Sequence, residues 1–383
     1  MDKKGEMLMQ DIIKKIIETL AQHRDAFDRA SERQLALWEG GRTERLPLML
    51  KCALESEEDK SIPVLNTKEI HYDSEKMLLY GLRDTMAVVN GGMEAVPSVR
   101  ADMGAGIFPS ILGVKPLLFE DKMPWVKEHM AKEQLSSMSP EDIKIGDEFK
   151  TGLQHMAYMA ERLEGTGCLV YPMDLQSPFD TAHIVYGNDI FYDLYDDPAF
   201  LHHLLELCCQ AIIIGMEECF KVIPDSRSRV AHYNSIVLPR SKGGLKISED
   251  TATLLSRAHI EEFVAPYTHK ILEYFGGGYI HYCGKNTHLF EAVMNEPLAY
   301  GLNFGNPEKH DMSDVLRACA EKGKIFVGVI NRRENETPYE YFKKYIEASR
   351  IDGRSHLLLD YCCGREERDG VIEAWESAQQ SRA

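Results

Sequence analysis

Apolar residues recur at helical spacing over long parts of the chain, with charged residues filling the gaps. Residues 7–38 show this pattern first, and residues 74–89 show it again with their apolar side chains on one face. Further helical patterns occur later in the chain, at 147–163, 198–223, 250–275 and 338–349. These segments are therefore predicted to be helices, and the first of them forms an N-terminal helical extension.

Between the helical patterns lie short apolar runs that are typical of buried strands. Eight such runs occur, at 46–50, 96–101, 168–173, 230–237, 278–283, 300–304, 325–330 and 357–362. Alternation of eight strands with helices predicts an α/β fold of the (β/α)₈ TIM-barrel type over residues 45–383, preceded by the helical extension at 1–44. A doubly wound sheet produces a similar alternation and stays open as the alternative.

Several of these runs end in polar or thiol residues, and barrel active sites are built at the carboxyl ends of strands. His281 and Cys283 are two residues apart at one strand end, so their side chains point to the same face. Imidazole and thiolate are both zinc ligands, and the last strand supplies a third sulfur from Cys362 or Cys363. Three ligands and one open position are typical of a catalytic zinc. In the alternative interpretation, His281 ends a core strand and the cysteines are small buried hydrophobes.

Charge and cysteine content narrow the class of protein. The net charge of −17 argues against a nucleic acid or an anionic membrane as a partner, because phosphate binding requires a basic surface. Nine cysteines without regular spacing do not form a disulfide framework and favour a reducing compartment. The N-terminal stretch is amphipathic and charged, so we expect neither a signal peptide nor a membrane span, and a cytoplasmic location.

Several segments, taken together and in this order, resemble the uroporphyrinogen decarboxylase superfamily over most of the chain. They are 177–182, 187, 193–198, 247–250, 263–267, His281-Tyr282-Cys283-Gly284 and Cys363-Gly364. The decarboxylases carry an Arg-Gln-Ala-Gly-Arg motif near the first strand, whose arginines bind porphyrinogen carboxylates. This chain has Leu48-Met49-Leu50-Lys51-Cys52-Ala53 there, so porphyrinogen decarboxylation is not expected. The chain is more similar to the zinc-dependent corrinoid methyltransferase branch.

That resemblance implies a (β/α)₈ barrel that binds Zn²⁺ through His281, Cys283 and Cys363, with Cys363 preferred to Cys362 because it directly precedes a glycine. The implied reaction moves a methyl group between a corrinoid, carried by a partner protein, and a thiol or tetrahydrofolate acceptor. A zinc-bound thiol is deprotonated, which makes it a nucleophile. The fourth ligand is either Glu308 or the substrate, and Glu308 also fits a helix N-terminal residue favoured by the dipole.

If the acceptor is a folate, polar residues at other strand ends are candidates for binding its pterin edge. These candidates are Asp102, Asp174 and Asn303. Two other functions stay open: a decarboxylase-type lyase acting on a different carboxylate, and a barrel that binds a tetrapyrrole or a corrinoid protein without turnover. The presence of one zinc ion per chain would favour the methyltransferase over both.

Overall fold

Each of the eight apolar runs of the sequence overlaps a strand in the structure. The computed structural model describes residues 3–41, 45–54 and 61–380, and its strands are numbered here in chain order. They are β1 (Leu48–Cys52), β2 (Ser98–Val99), β3 (Pro116–Leu117), β4 (Trp125–Val126), β5 (Leu169–Val170), β6 (Arg229–His232), β7 (Ile236–Pro239), β8 (Leu245–Ser248), β9 (Gly278–Tyr282), β10 (Ala299–Phe304), β11 (Ile325–Val329), β12 (Arg350–Ile351), β13 (Arg354–Ser355) and β14 (Leu357–Cys363).

Six of these strands form a parallel sheet in the order β1-β14-β11-β10-β9-β8. The first strand of the chain therefore pairs with the last one, and Cys52 lies beside Cys363 in that register. A separate parallel pair joins β2 and β5, and an isolated bridge connects Gln176 with Ser248 next to β8. The predicted α/β class with a parallel central sheet is confirmed.

Three of the eight predicted strands lie outside the six-stranded sheet. Runs 96–101 and 168–173 contain β2 and β5, which pair with each other. Residues 230–237 do not enter the parallel sheet either, because they belong to an antiparallel hairpin formed by β6 and β7. The position beside β9 is taken instead by β8, whose residues Leu245 and Ile247 are buried while Lys246 is only partly so. Both hairpin strands are rich in buried apolar residues, so periodicity alone did not distinguish them from a strand of the central sheet.

The helices follow the strands and cover the sheet. Their bounds are Lys3–Gln22, Arg24–Trp38, Thr67–Ile70, Ser74–Gly91, Lys132–Ser137, Asp147–Arg162, Pro178–Tyr186, Ile190–Asp196, Pro198–Val222, Arg257–His259, Ala265–Phe275, Thr287–Asn295, Met312–Glu321, Pro338–Ala348 and Arg368–Gln380. A π-helical segment, Ile260–Val264, makes the stretch 257–275 continuous. Most predicted helices are confirmed within about two residues at each end, which is the usual spread of helix boundaries.

The second helix of the N-terminal extension is fixed to the sheet region by one buried side chain. Gln34 donates from Nε2 to the carbonyl oxygens of Glu94 (2.7 Å) and Ser235 (2.9 Å), and its Oε1 accepts from the Val237 N–H (2.8 Å). At the end of the same helix the buried ring of Trp38 stacks on Tyr279. The extension is therefore part of the folded core and not a separate appendage.

Among the described residues, one helix is long and apolar enough to cross a membrane, namely Pro198–Val222. Buried positions make up 67% of its most apolar window. Gly215 lies on its buried face, where an added Cβ would meet the rings of Phe108 and Phe149 at 2.7 and 2.9 Å. This close packing accounts for the apolar composition of the helix.

Candidate metal and substrate site

The carboxyl ends of the central strands surround a cavity of about 920 Å³. Part of its polar lining comes from consecutive strands of the sheet: Lys246 and Ser248 on β8, His281 on β9, and Asn303 on β10. Asp250 lies in the loop directly after β8 and also lines the cavity. Parallel strands place their carboxyl ends at one edge, which brings these groups together although they are up to 57 residues apart in the sequence.

His281 is held in one tautomer by its neighbour on the next strand. Asn303 is its register partner on β10, and the Asn303 Nδ2 group donates to the carbonyl of Val327. The amide orientation is thereby fixed with Oδ1 facing the imidazole, so His281 Nδ1–H is the donor of the hydrogen bond between them. The lone pair of Nε2 is consequently directed away from Asn303 and is available to a metal ion.

Two further potential ligand atoms lie beside that Nε2 atom. The Cys283 Sγ atom lies 3.6 Å from it and the Asp250 Oδ1 atom 3.8 Å from it. All three ligand atoms lie within 4.8 Å of one another. A sharp turn at Gly284, whose φ of 90° favours glycine, follows immediately and directs the chain away from the site.

The distances can be compared with those that zinc requires. Zn–N bonds of about 2.0–2.1 Å and a Zn–S bond of about 2.3 Å in a tetrahedron place nitrogen and sulfur about 3.6 Å apart. The observed separation between His281 and Cys283 is the same, 3.6 Å. Nitrogen and carboxylate oxygen should lie about 3.4 Å apart, against 3.8 Å here for Asp250. The two distances from His281 fit ligands of one zinc ion after a movement of a few tenths of an ångström.

The protonation states of His281 and Cys283 are also compatible with metal binding. Burial, together with the carboxylate of Asp250, raises the pKa of the Cys283 thiol to about 11. Burial lowers the pKa of His281, and the ammonium of Lys246 lowers it further. A neutral imidazole is a ready ligand, while the thiol gives up its proton when it binds a metal.

Asp250 is placed by a second, fully buried carboxylate. Asp180 stands near the start of the helix Pro178–Tyr186 and accepts from the backbone N–H groups of Asp250 (2.6 Å) and Thr251 (2.7 Å). The Asp250 Oδ1 atom in turn accepts from the N–H of Cys283. Burial and the nearby charge of Asp250 raise the pKa of Asp180. Asp180 therefore fixes the loop in which Asp250 reaches the other two ligand atoms.

Arg100 forms ion pairs with both Asp102 and Asp174, which the sequence suggested as cofactor-binding residues. The guanidinium of Arg100 lies 2.9 Å from Asp102 and 3.4 Å from Asp174, and Lys246 lies 3.7 Å from Asp174. Burial alone would lower the pKa of Arg100, but the two carboxylates raise it. Asp174 lines the cavity, whereas Asp102 is not among its lining residues. Asn303, the third candidate, is engaged by His281 and Val327.

Cys363 and Glu308 lie apart from these three atoms. The Cys363 thiol is 3.6 Å from that of Cys52, and among the described residues neither Cys363 nor Cys362 belongs to the group of converging ligand atoms. Glu308 lines the cavity mouth and accepts from the Asn306 side chain (2.9 Å) at the start of the short helix Pro307–Lys309. Metal binding by Cys363 or Glu308 stays a prediction from the sequence.

Sequence reasoning missed Asp250, Arg100 and Lys246 as parts of the site. The signal for two of them was the segment 246–250, in which the polar residues Lys246, Ser248 and Asp250 stand at every second position and line the cavity, although Glu249 between them is polar too. That signal was overlooked because the preceding hairpin had been assigned to the sheet in place of β8. Arg100 was not identified because it lies inside the run 96–101 that is predicted as a strand, whereas β2 ends at Val99.

Comparison with solved structures finds a protein of similar fold. A solved structure of a methyltransferase from Methanosarcina mazei superimposes with a TM-score of 0.63 over 91% of this chain and 98% of that one. The sequences are 14% identical over the alignment, so the similarity concerns the fold. No protein-family model and no curated protein matches the sequence.

Proposed function

We propose that this protein is a zinc-dependent methyltransferase that moves a methyl group between a corrinoid and a thiol or tetrahydrofolate acceptor. The main support is the pair His281 Nε2 and Cys283 Sγ, whose 3.6 Å separation suits adjacent ligands of one tetrahedral zinc. The fold shared with a methyltransferase from Methanosarcina mazei supports the same class of reaction. The corrinoid is carried by a partner protein, and the location is cytoplasmic.

The same proposal includes a closed (β/α)₈ barrel over residues 45–383, with residues 1–44 as its helical extension. The pairing of β1 with β14 supports closure, because it joins the two ends of the strand sequence. The doubly wound order 3-2-1-4-5-6 keeps its first and last strands apart. The pair β2–β5 and the bridge between Gln176 and Ser248 supply the strands between β1 and β8 in that barrel.

When bound, the zinc ion supplies a site at which an acceptor thiol is held as a thiolate. The chain's own residues perform the remaining tasks. Asn303 orients the imidazole, and the cavity of about 920 Å³ is large enough to enclose a small acceptor. Lys246, beside Asp174 on the cavity wall, offers a positive charge near the site to a negatively charged acceptor.

Loss of the methyl group from methylcobalamin, followed anaerobically by absorbance with a panel of thiols and folates, tests this function. We expect slow, zinc-dependent demethylation by the purified chain, because free cofactor lacks the binding energy of the carrier protein. His281→Ala should abolish it, whereas His288→Ala, at an exposed helix position, should not. Zinc-loaded protein that is inactive with every acceptor, and forms no complex with a corrinoid protein, would contradict the proposal.

A further inference from the structure

The two faces of β14 are distinguished by what lies beside them. Val329 lines the cavity, and its register partner on β14 is Asp360, so Asp360 points to the cavity side of the sheet. The opposite face is marked by Tyr361, whose ring packs against the helix Pro338–Ala348 at 5.2 Å from the Phe342 ring. Side chains alternate along a strand, and β14 pairs with β1 without a bulge up to Cys363.

Cys363 therefore shares the helix-facing side with Tyr361. Cys362 lies on the cavity side with Asp360 but, among the described residues, outside the group of converging ligand atoms. The Cys363 thiol lies beside that of Cys52, which has the same orientation on β1. The charged groups near this thiol pair are Arg365, Glu367, Arg368 and Asp369, from the segment after β14. A thiol on this side of the sheet cannot reach an ion on the cavity side without a reversal of the strand.

Asp250, in contrast, already lies where a third ligand is needed. Its Oδ1 atom is 3.8 Å from His281 Nε2, and its backbone is anchored by Asp180. The side chain keeps 40% of its surface exposed to the cavity, so an ion and a substrate can both reach it. The hydrogen bond from the Cys283 N–H uses one lone pair of Oδ1 and leaves the others free.

We infer that the third protein ligand of the metal is the Asp250 carboxylate, which gives a nitrogen, sulfur and oxygen ligand set with Cys363 outside the centre. The inference rests on the zinc ion of the proposed function and departs from the two-cysteine set implied by the sequence. One thiolate and one carboxylate neutralise Zn²⁺ as fully as two thiolates do. The carboxylate oxygen is a harder ligand than a second thiolate would be. Because the protein supplies one sulfur, an incoming thiol would be the second sulfur ligand.

Zinc binding by the full-length protein, measured by metal analysis and competition with a chromogenic chelator under reducing conditions, tests the assignment. Asp250→Asn keeps the size of the side chain and removes its charge, and we expect zinc affinity to fall by about 10- to 100-fold or more. Cys363→Ser, Cys362→Ser and Glu308→Gln should bind zinc as the wild type does. X-ray absorption of the zinc-loaded wild type, which requires no variant, should show one sulfur neighbour.

Two sulfur neighbours in the substrate-free wild type would overturn the inference. So would loss of zinc in Cys363→Ser or in Cys362→Ser combined with retention in Asp250→Asn. Either result leaves the methyltransferase proposal intact, because zinc is still bound. A centre with one sulfur in a protein that never demethylates methylcobalamin would instead uphold the ligand set and contradict the proposed function.

Discussion

Gly305 offers a way to disturb the metal site without changing a ligand. It follows β10, and a Cβ atom built there would lie 2.4 Å from Cys283 Sγ and 3.4 Å from His281 Cε1. Its φ is not in the left-handed region, so alanine suits the backbone and the close contact is the sole effect of Gly305→Ala. Non-bonded atoms pack at about 3.5–4.0 Å, so the sulfur must move by about 1.1 to 1.6 Å.

A movement of that size exceeds what a metal site tolerates, since ligand distances are held to within about 0.2 Å. Cysteine has one side-chain torsion, so the thiol escapes the added methyl group by rotating away from the position 3.6 Å from His281. We expect zinc affinity to fall about 10- to 100-fold, the range found when groups that position ligands are altered. This corresponds to about 1.4 to 2.7 kcal/mol of binding free energy.

Chelator competition measures the change, and Gly370→Ala is the matched control. No atom lies within 4 Å of a Cβ at Gly370, which is inside the helix Arg368–Gln380. The control should bind zinc normally and gain about 0.5–1 kcal/mol of stability, as glycine-to-alanine changes in helices do. Unchanged zinc affinity in a folded Gly305→Ala protein would refute the reasoning, because the thiol would then not be held beside Gly305 as a ligand.

Two further predictions concern stability. His232 is buried, donates from Nε2 to the Gly244 carbonyl (3.0 Å), and has its pKa lowered to about 3 by burial. Its unfolded pKa is about 6.5, so its contribution is complete above pH 6.5 and is lost as the pH falls toward 3. The melting temperature of His232→Gln should therefore fall less than that of the wild type between pH 6.5 and 4. An equal fall in both proteins would contradict this. Gln34→Leu leaves three buried backbone groups without their partner and should lower the unfolding free energy by about 3 kcal/mol or more. In denaturant titrations the exposed Gln10→Leu should stay within about 0.5 kcal/mol of the wild type, and an equally small effect of Gln34→Leu would be the contrary result.

The sequence predicts the pair His281 and Cys283 because two ligand types at period two on one strand report a common face directly. The same rule shows that Cys362 and Cys363 point in opposite directions, but it does not show which of them faces the cavity. Leu357, Leu358 and Leu359 are all buried, so neither face of β14 carries a polar signal before Asp360. Only the register with neighbouring strands distinguishes the two sides.

Asp250 illustrates a different limit. Its place in the site depends on the position of β8 in the sheet and on the buried carboxylate of Asp180, 70 residues earlier in the chain. The helices, by comparison, were predicted well because each displays its own apolar face within a short window. Contacts between distant segments leave no such local pattern, and most of the site is built from them.

The pairing of β1 with β14 also sets when this protein can finish folding in the cell. Cys52 and its neighbour Cys363 are 311 residues apart. At a synthesis rate of about 5–20 residues per second, β1 waits about 15 to 60 s on the ribosome for its strand partner to be made. During that time the edge of β1 is open to other chains. A C-terminal truncation before β14 would leave that edge of β1 without its strand partner.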